Sequence, residues 1–314
     1  MKPMIRSLVA ACLATSALAA GLAHAEYPSK PVSFVVPWPP GDMEDVLTRM
    51  IADDMQAKTG KPAAVINKPG GGGGPFPGAA EVAKAAADGH TIGSFVVGVP
   101  LVADKVGIPA LNPMPFEPVG IFLTYPFVIA AAANAPYNSM QELATYAKSH
   151  KVALGHFGAP LVPTKVTLAM AKKMGFKYAS DTAFDALDCN TLASGDVDVI
   201  NTTVQLIQPC LGKIKVLASI TEERLSLTPK TPTVKELVPE LGMSLWNGLF
   251  VRKGTPEAVK AKIAQVAKAT ALGAKAQQFA KDTGAQVYWL DAKQSQARID
   301  ADGKTLATIN ATLQ

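Results

Sequence analysis

Three acidic side chains, Asp42, Glu44 and Asp45, fall within four positions of the stretch VPWPPGDMEDVLTRM, residues 36–50. Carboxylates this close either complement a helix start or meet a ligand that brings donors or positive charge. The apolar run SFVV precedes them, and Val46, Leu47, Met50, Ile51 and Met55 follow on one helical face. That spacing predicts a strand, a loop and a helix. Such a helix start presents free backbone N–H groups, a seat for an anion that acidic side chains would repel. Asp42 is placed to cap the helix, Asp45 stands three residues on in the capping-box position, and Glu44 complements the helix dipole. A capping Asp42 would occupy N–H groups that a ligand carboxylate needs. The loop then suits a ligand with an amino or other cationic group, or one whose carboxylate is seated elsewhere.

Other catalytic chemistry finds no support in the residue patterns. The glycine run NKPGGGGGPFPG, residues 67–78, ends in Pro-Phe-Pro where a phosphate loop needs Gly-Lys-Ser/Thr, and no start within it fits the dinucleotide fingerprint. The run brings backbone close to a ligand or to another segment. No Gly-x-Ser-x-Gly elbow and no His-Glu-x-x-His occurs. His150 and His156 flank the strand pattern KVALG at a spacing that fits no common zinc helix, and each reads as a surface or loop residue. Asp53 and Asp54 read as solvated on the outer side of the first helix. The expectation is a protein that is not an enzyme, without cofactor or metal. Cys189 and Cys210 are either a disulfide or two unrelated buried thiols, and an even count in an exported chain favours the bridge.

The elements that must position the acidic loop follow from the apolar pattern. SFVV, AAVI, TIGSFVVG, FEPVGIF, PFVIAAAA, KVALGHF, VDVINTT, KIKVLASI and SLWNGLFV read as strands alternating with helical patterns, an α/β layout with largely parallel sheets. Ser139 with Glu142 reads as a capping box, and Thr255-Pro256 as a cap followed by proline at the first helical position. Val259, Ile263 and Val266 mark one face of a long helix, and residues 292–313 form another helical pattern. The length suits two lobes better than one core.

The first residues address the compartment. Lys2 and Arg6, an apolar stretch over residues 8–22 and the small-x-small pattern Ala23-His24-Ala25 predict a signal peptide cleaved after Ala25, with Cys12 discarded. Of 30 basic residues, 28 then remain against 25 acidic ones, a net charge of about +3. With no basic tract, nucleic acid is not an expected partner. No later segment is long and apolar enough for a membrane helix. The best, FLTYPFVIAAAA, is short, contains Pro126 and reads as buried strand.

The ordered motifs resemble one family. YPSKPVSFVVPWPPGDMEDVL, NKPGGGGG, ADGHTIG, ASGDVDV, TPTVKEL and WNGLFVRKGTPEAV are similar, in the same order, to segments of the Bug receptors, the periplasmic solute-binding proteins of tripartite tricarboxylate transporters. The resemblance runs from Tyr27 to about Val259. It implies a two-lobed Venus-flytrap architecture, with residues 26–125 plus 246–314 as lobe 1 and 126–245 as lobe 2. It further implies a monomer in the periplasm that holds a small carboxylate in the cleft, amino-bearing or aromatic ones included, and passes it to the transporter's membrane components. The alternatives are a ligand sensor and an exported enzyme on the same scaffold. Carried over by position, ligand contacts would come from Gly41, Asp42, Met43 and Glu44, from Gly74, Pro75, Phe76 and Gly78, and from Ser94 and Phe95. The second lobe would add Gly158, Ala159, Pro160 and Leu161, then Asp181, Thr182 and Ala183, and Asp198. Two departures stand out: Asp42 replaces the family's second loop glycine, and FKYASDTAFDA lacks the family's Lys-Gly-Gly element and carries Asp181 nearby.

Overall fold

A computed structural model describes residues 26–70 and 74–314. The expected signal peptide with Cys12, and three glycines of the glycine run, lie outside the described residues. Within them the first strands in chain order are β1 (Val32–Val36), β2 (Ala63–Asn67), β3 (Thr91–Val96), β4 (Phe116–Thr124) and β5 (Phe127–Ala132). Then come β6 (Ala153–His156), β7 (Ser180–Ala183), β8 (Val199–Thr203), β9 (Ile214–Ser219), β10 (Trp246–Arg252) and β11 (Gln286–Leu290). The α-helices of five or more residues begin with α1 (Met43–Thr59), α2 (Phe76–Lys84), α3 (Gly98–Val102), α4 (Met140–Tyr146) and α5 (Val162–Lys173). They continue with α6 (Cys189–Ser194), α7 (Glu257–Ala271), α8 (Ala274–Thr283) and α9 (Ala292–Leu313).

The strands form two sheets, ordered β11-β4-β10-β3-β1-β2 and β7-β6-β8-β5-β9. Both are mixed, which corrects the expectation of largely parallel sheets. β1 pairs in parallel with β2 and β3, and β6 with β7 and β8, as crossover helices require. β10, β11, β5, β8 and β9 pair antiparallel because the chain leaves the first sheet through β4 and returns to it through β10. The two crossing segments are tied together by a backbone hydrogen bond of 2.8 Å from Tyr125 N–H to Leu245 O.

α1 forms because Met43, Leu47, Ile51 and Met55 recur every four residues and are buried. It stops at Gly60, whose φ of 68° is the left-handed cap that glycine adopts without strain. Two other end signals are corrected. Glu142 N–H does bond to Ser139 Oγ at 3.1 Å, but the Glu142 carboxylate turns to Asn138 N–H at 2.7 Å, so the box is half made. Thr255 does not cap α7; its hydroxyl donates to Arg252 O at 2.7 Å, and Pro256 holds the cap position. Asp54 is not simply solvated, since it accepts a hydrogen bond of 2.6 Å from Thr270 on α7.

One apolar core runs from Phe34, Ile92 and Phe122 of the first sheet to Leu154 and Val199 of the second. A smaller core with Val128, Leu187 and Ile200 lies on the second sheet's other face. α9 packs on both β4 and α5. The buried Trp246 indole on β10 donates to Asp302 on α9 at 2.6 Å, and Arg298 bridges Asp302 and Glu222, each at 2.8 Å. Cys189, which opens α6, is joined by a disulfide to Cys210, with the two Cα atoms 5.9 Å apart. No helix among the described residues is long and apolar enough to cross a membrane.

Candidate functional site

The loop between β1 and α1 turns at Gly41, whose φ of 94° lies in the region glycine favours. Asp45 fixes that turn. Its carboxylate accepts Gly41 N–H at 2.9 Å, both arms of Arg49 at 3.0 Å and the Asn67 amide at 2.8 Å. Burial works to raise the Asp45 carboxyl, but the Arg49, Gly41 and Asn67 hydrogen bonds outweigh it and hold it below the usual carboxylate range. Asp45 thus serves the loop ahead of the helix rather than a capping box.

Asp42 corrects the sequence reading further, because its side chain makes no capping bond. The N–H groups it would have occupied remain free of it. Burial, then the charge of Asp45, pushes the Asp42 carboxyl up to about 6. Glu44 is buried, and burial followed by the charge of Asp42 pushes its carboxyl up to about 8. Near neutral pH the loop therefore holds a mostly protonated glutamic acid beside a mostly ionised aspartate.

Glu44 lies beside Tyr125, the residue at which the chain leaves the first sheet. Burial and then the Glu44 charge raise the Tyr125 phenol well above its ordinary value. Its hydroxyl donates to Asn247 Oδ1 at 3.3 Å, Asn247 Nδ2 donates to Ser94 Oγ at 2.7 Å, and Ser94 and Thr48 share a hydrogen bond of 2.8 Å. All of these side chains are buried. The network joins α1, β3, β10 and the crossing segment, so the acid pair is set on a rigid base. Aromatic rings continue from there toward the second sheet, Tyr125 to Phe127 at 6.1 Å and Phe127 to Phe157 at 6.3 Å, both edge-on.

On the second sheet, His156 ends β6 and is buried, which overturns its reading as a surface or loop residue. Gly158 N–H donates to its Nδ1 at 3.0 Å, so in the neutral ring Nε2 carries the proton and donates to Asp181 Oδ1 at 2.9 Å. The imidazole thereby ties the loop of residues 158–161 to strand β7. That loop enters α5, where Leu161 in the cap position supplies no side-chain bond to the helix start. His150 is exposed and stacks on Tyr146 with ring centroids 4.0 Å apart.

The two loops meet. A Cβ on Gly74 would lie 3.8 Å from Leu161 Cδ2 and 4.0 Å from the Phe76 ring. Gly41 and Asp42 lie in the loop before α1 and Glu44 in its first turn, while Gly74 approaches Leu161 and Phe76 lines a cavity with Pro160, in the loop of Gly158, Ala159, Pro160 and Leu161. Met43 is buried in the core. Pro75 is buried at the start of α2, and Gly78 is packed where a Cβ would strike Lys68 O and Pro37. Ser94 belongs to the network beneath Glu44, but Phe95 does not join it, since its ring lies in the core against Phe116 and Phe250. Asp181 reaches the loop through His156, with Thr182 and Ala183 exposed beside it on edge strand β7. Asp198 is not brought here. It precedes β8 and accepts Ala153 N–H at 2.8 Å at the start of β6, the opposite end of the sheet from His156.

Sequence reasoning missed Tyr125, Asn247 and His156. The signals available were a Tyr-Pro at a strand end and an asparagine inside the apolar strand LWNGLF. Among the described residues no group of three or more His, Cys, Asp or Glu is placed to hold a metal ion.

Comparison with known proteins gives a consistent answer. The family described as tripartite tricarboxylate transporter family receptor matches residues 47–311. A protein of Pseudomonas sp. strain P51, described as UPF0065 protein in the tcbD-tcbE intergenic region, is 30% identical over 263 residues, 78% of this chain and 75% of its own. The solved periplasmic binding protein BugD shares 26% identity and a TM-score of 0.73, covering 91% of this chain and 97% of that one. R. palustris Rpa4515, solved with adipate, shares the fold at 22% identity with a TM-score of 0.79, over 91% and 98% of the two chains.

Proposed function

The chain belongs to the tripartite tricarboxylate transporter receptor family as a periplasmic solute-binding receptor, and on that premise we propose that it captures a small carboxylate between its two sheets. Lobe 1 comprises residues 26–125 and 246–314, lobe 2 residues 126–245, and the chain is exported as a monomer after cleavage at Ala25. The observation that carries the reading is the meeting of residue 74, just before α2, with Leu161 of the loop 158–161, while α1 and α5 both start without a side-chain cap. Uncapped helix starts offer N–H groups and positive dipole ends to an anion, and no nucleophile or cofactor is needed to hold one. The protonated Glu44 adds a donor, so a carboxylate is accepted there beside the ionised Asp42, the neighbouring Asp45 being paired with Arg49. This replaces the idea that Asp42 blocks the seat by capping. A neighbour in structure holds adipate, a ligand of the same class.

Closure of the lobes over the ligand presents a surface to the membrane components of the transporter. Specificity comes from differential binding to the closed state. A thermal-shift screen of the mature chain against mono- and dicarboxylates, aromatic acids, amino acids and amines tests the proposal. A carboxylate-bearing compound should raise the melting temperature by mass action. A response confined to compounds without a carboxylate would refute it.

A further inference from the structure

A groove of about 330 Å³ lies where the two lobes of the proposed receptor meet beside α9. Lobe 1 lines it with Phe76 at the start of α2, Leu101 on α3, Lys105 after α3 and Ala307 on α9. Lobe 2 lines it with Pro160 before α5 and Lys165 in the first turn of α5. None of residues 41–44 reaches it. Its two lysines enter no ion pair among the described residues, and no acidic side chain lines the groove. Lys165 stands at the positive end of α5, where an acidic residue would serve the helix better. Val106, also in the wall, is a large apolar side chain left 36% exposed. Positive charge set among apolar, partly open walls suits an acidic side chain carried on an apolar protein segment.

We propose that this groove is a docking site for an extracytoplasmic loop of the transporter's membrane components, a loop with an acidic side chain seated between Lys105 and Lys165 and an apolar one against Leu101 and Val106. The proposal rests on the receptor reading and goes beyond it, since it says where the loaded receptor is recognised. A transporter that distinguishes a loaded receptor from an empty one needs contacts worth more in the closed state. Residues that move with different lobes provide them. Phe76 and Pro160 face each other across the cleft, next to the approach of Gly74 to Leu161. Parting the lobes therefore takes one wall from the groove and changes the spacing of the two lysines. A pocket of this size takes one or two anchor side chains of a larger interface, and Asn310 offers the loop a polar partner.

Flotation of the mature chain with phosphatidylcholine vesicles that carry the transporter's membrane components tests this, at low ionic strength, with and without a mixture of adipate, malate, benzoate and glutamate. The acids should increase binding of the wild type to these vesicles and not to empty ones. Lys105→Glu/Lys165→Glu should weaken that binding at least about tenfold, since the reversed charges meet the partner's acid. Ala307→Trp, which fills the groove without changing charge, should weaken it as well. Lys58→Glu/Lys61→Glu, the same charge change around the end of α1, should not. Each variant should keep the wild type's melting temperature and its shift with the acids. Wild-type binding that is absent, unaffected by the acids, matched by empty vesicles or untouched by the Lys105 and Lys165 reversal overturns the inference and leaves the receptor reading standing. A reversal that abolishes the thermal shift overturns it too, by making the groove a seat for the acid itself. If no carboxylate shifts the wild type in the thermal screen, both readings fall.

Discussion

On the proposed reading, Glu44 would make carboxylate capture a proton-linked event. Its carboxyl rises from the ordinary 4.5 to about 8, through burial first and the charge of Asp42 second. At pH 7 roughly nine molecules in ten then carry the proton and donate to an incoming carboxylate; at pH 9 roughly one in ten does. Affinity should fall about tenfold between pH 7 and pH 9. Calorimetry in buffers of different ionisation enthalpy should register uptake of about 0.1 proton per ligand at pH 7 and about 0.9 at pH 9. Glu44→Gln keeps a donor and loses the titration, so its affinity should stay level across that range. The unliganded protein gives a second readout. A carboxyl raised above its unfolded value contributes stability that is fully present below about 4.5 and is lost as pH rises through about 8. That loss has an upper value of about 5 kcal/mol, and Glu44→Gln does not suffer it. An affinity for carboxylates that is flat or rises between pH 7 and pH 9 would refute the reasoning. An amine ligand would produce such a rise, because the ionised acid pair attracts it.

Three further outcomes follow from the geometry. Asp45→Ala removes the acceptor for Gly41, Arg49 and Asn67 and should cost about 2–4 kcal/mol in urea unfolding at pH 7. Its lowered carboxyl contributes stability above the unfolded value that is lost as pH falls through the folded one, so the variant's deficit should shrink in acid. His156→Phe preserves bulk and removes the link between Gly158 and Asp181; calorimetry should give carboxylate affinity about tenfold weaker, with a smaller change in melting temperature. Replacing Cys189 and Cys210 by alanine opens a loop of sequence separation 21 and should lower unfolding free energy by about 3 kcal/mol while leaving affinity unchanged.

Strand by strand, much of the fold was legible because buried strands need apolar, β-branched runs, and β1 to β6 and β8 to β10 all announce themselves that way. β7 does not. Its residues Ser180, Asp181, Thr182 and Ala183 are exposed on a sheet edge, so no apolar alternation marks them. β11, Gln286–Leu290, was missed as well, a short strand between two helices on the opposite sheet's edge. Strand direction was also misread, because the run of elements resembles a parallel α/β chain and the return through β10 is invisible locally.

At the site, the acidic loop was found from its residues, but its wiring was not. Asp42 looks like a cap in one dimension. In three, Asp45 claims Gly41 N–H and the Arg49 guanidinium, and the loop takes a shape in which Asp42 does not reach the helix N–H groups. The network under Glu44 joins Tyr125 to Asn247 across 122 positions and Asn247 to Ser94 across 153, separations that no local pattern encodes. His156 looked like a loop residue because strand β6 is short, and only its pairing with β7 puts Asp181 within reach.

A crystal structure of the mature chain with its tightest-binding carboxylate tests the central claim most directly. The account predicts one ligand per chain between residues 41–44 and residues 158–161, with at least one carboxylate oxygen on a backbone N–H of a helix start. A carboxylate bound away from both loops, or no carboxylate bound at all, would contradict it.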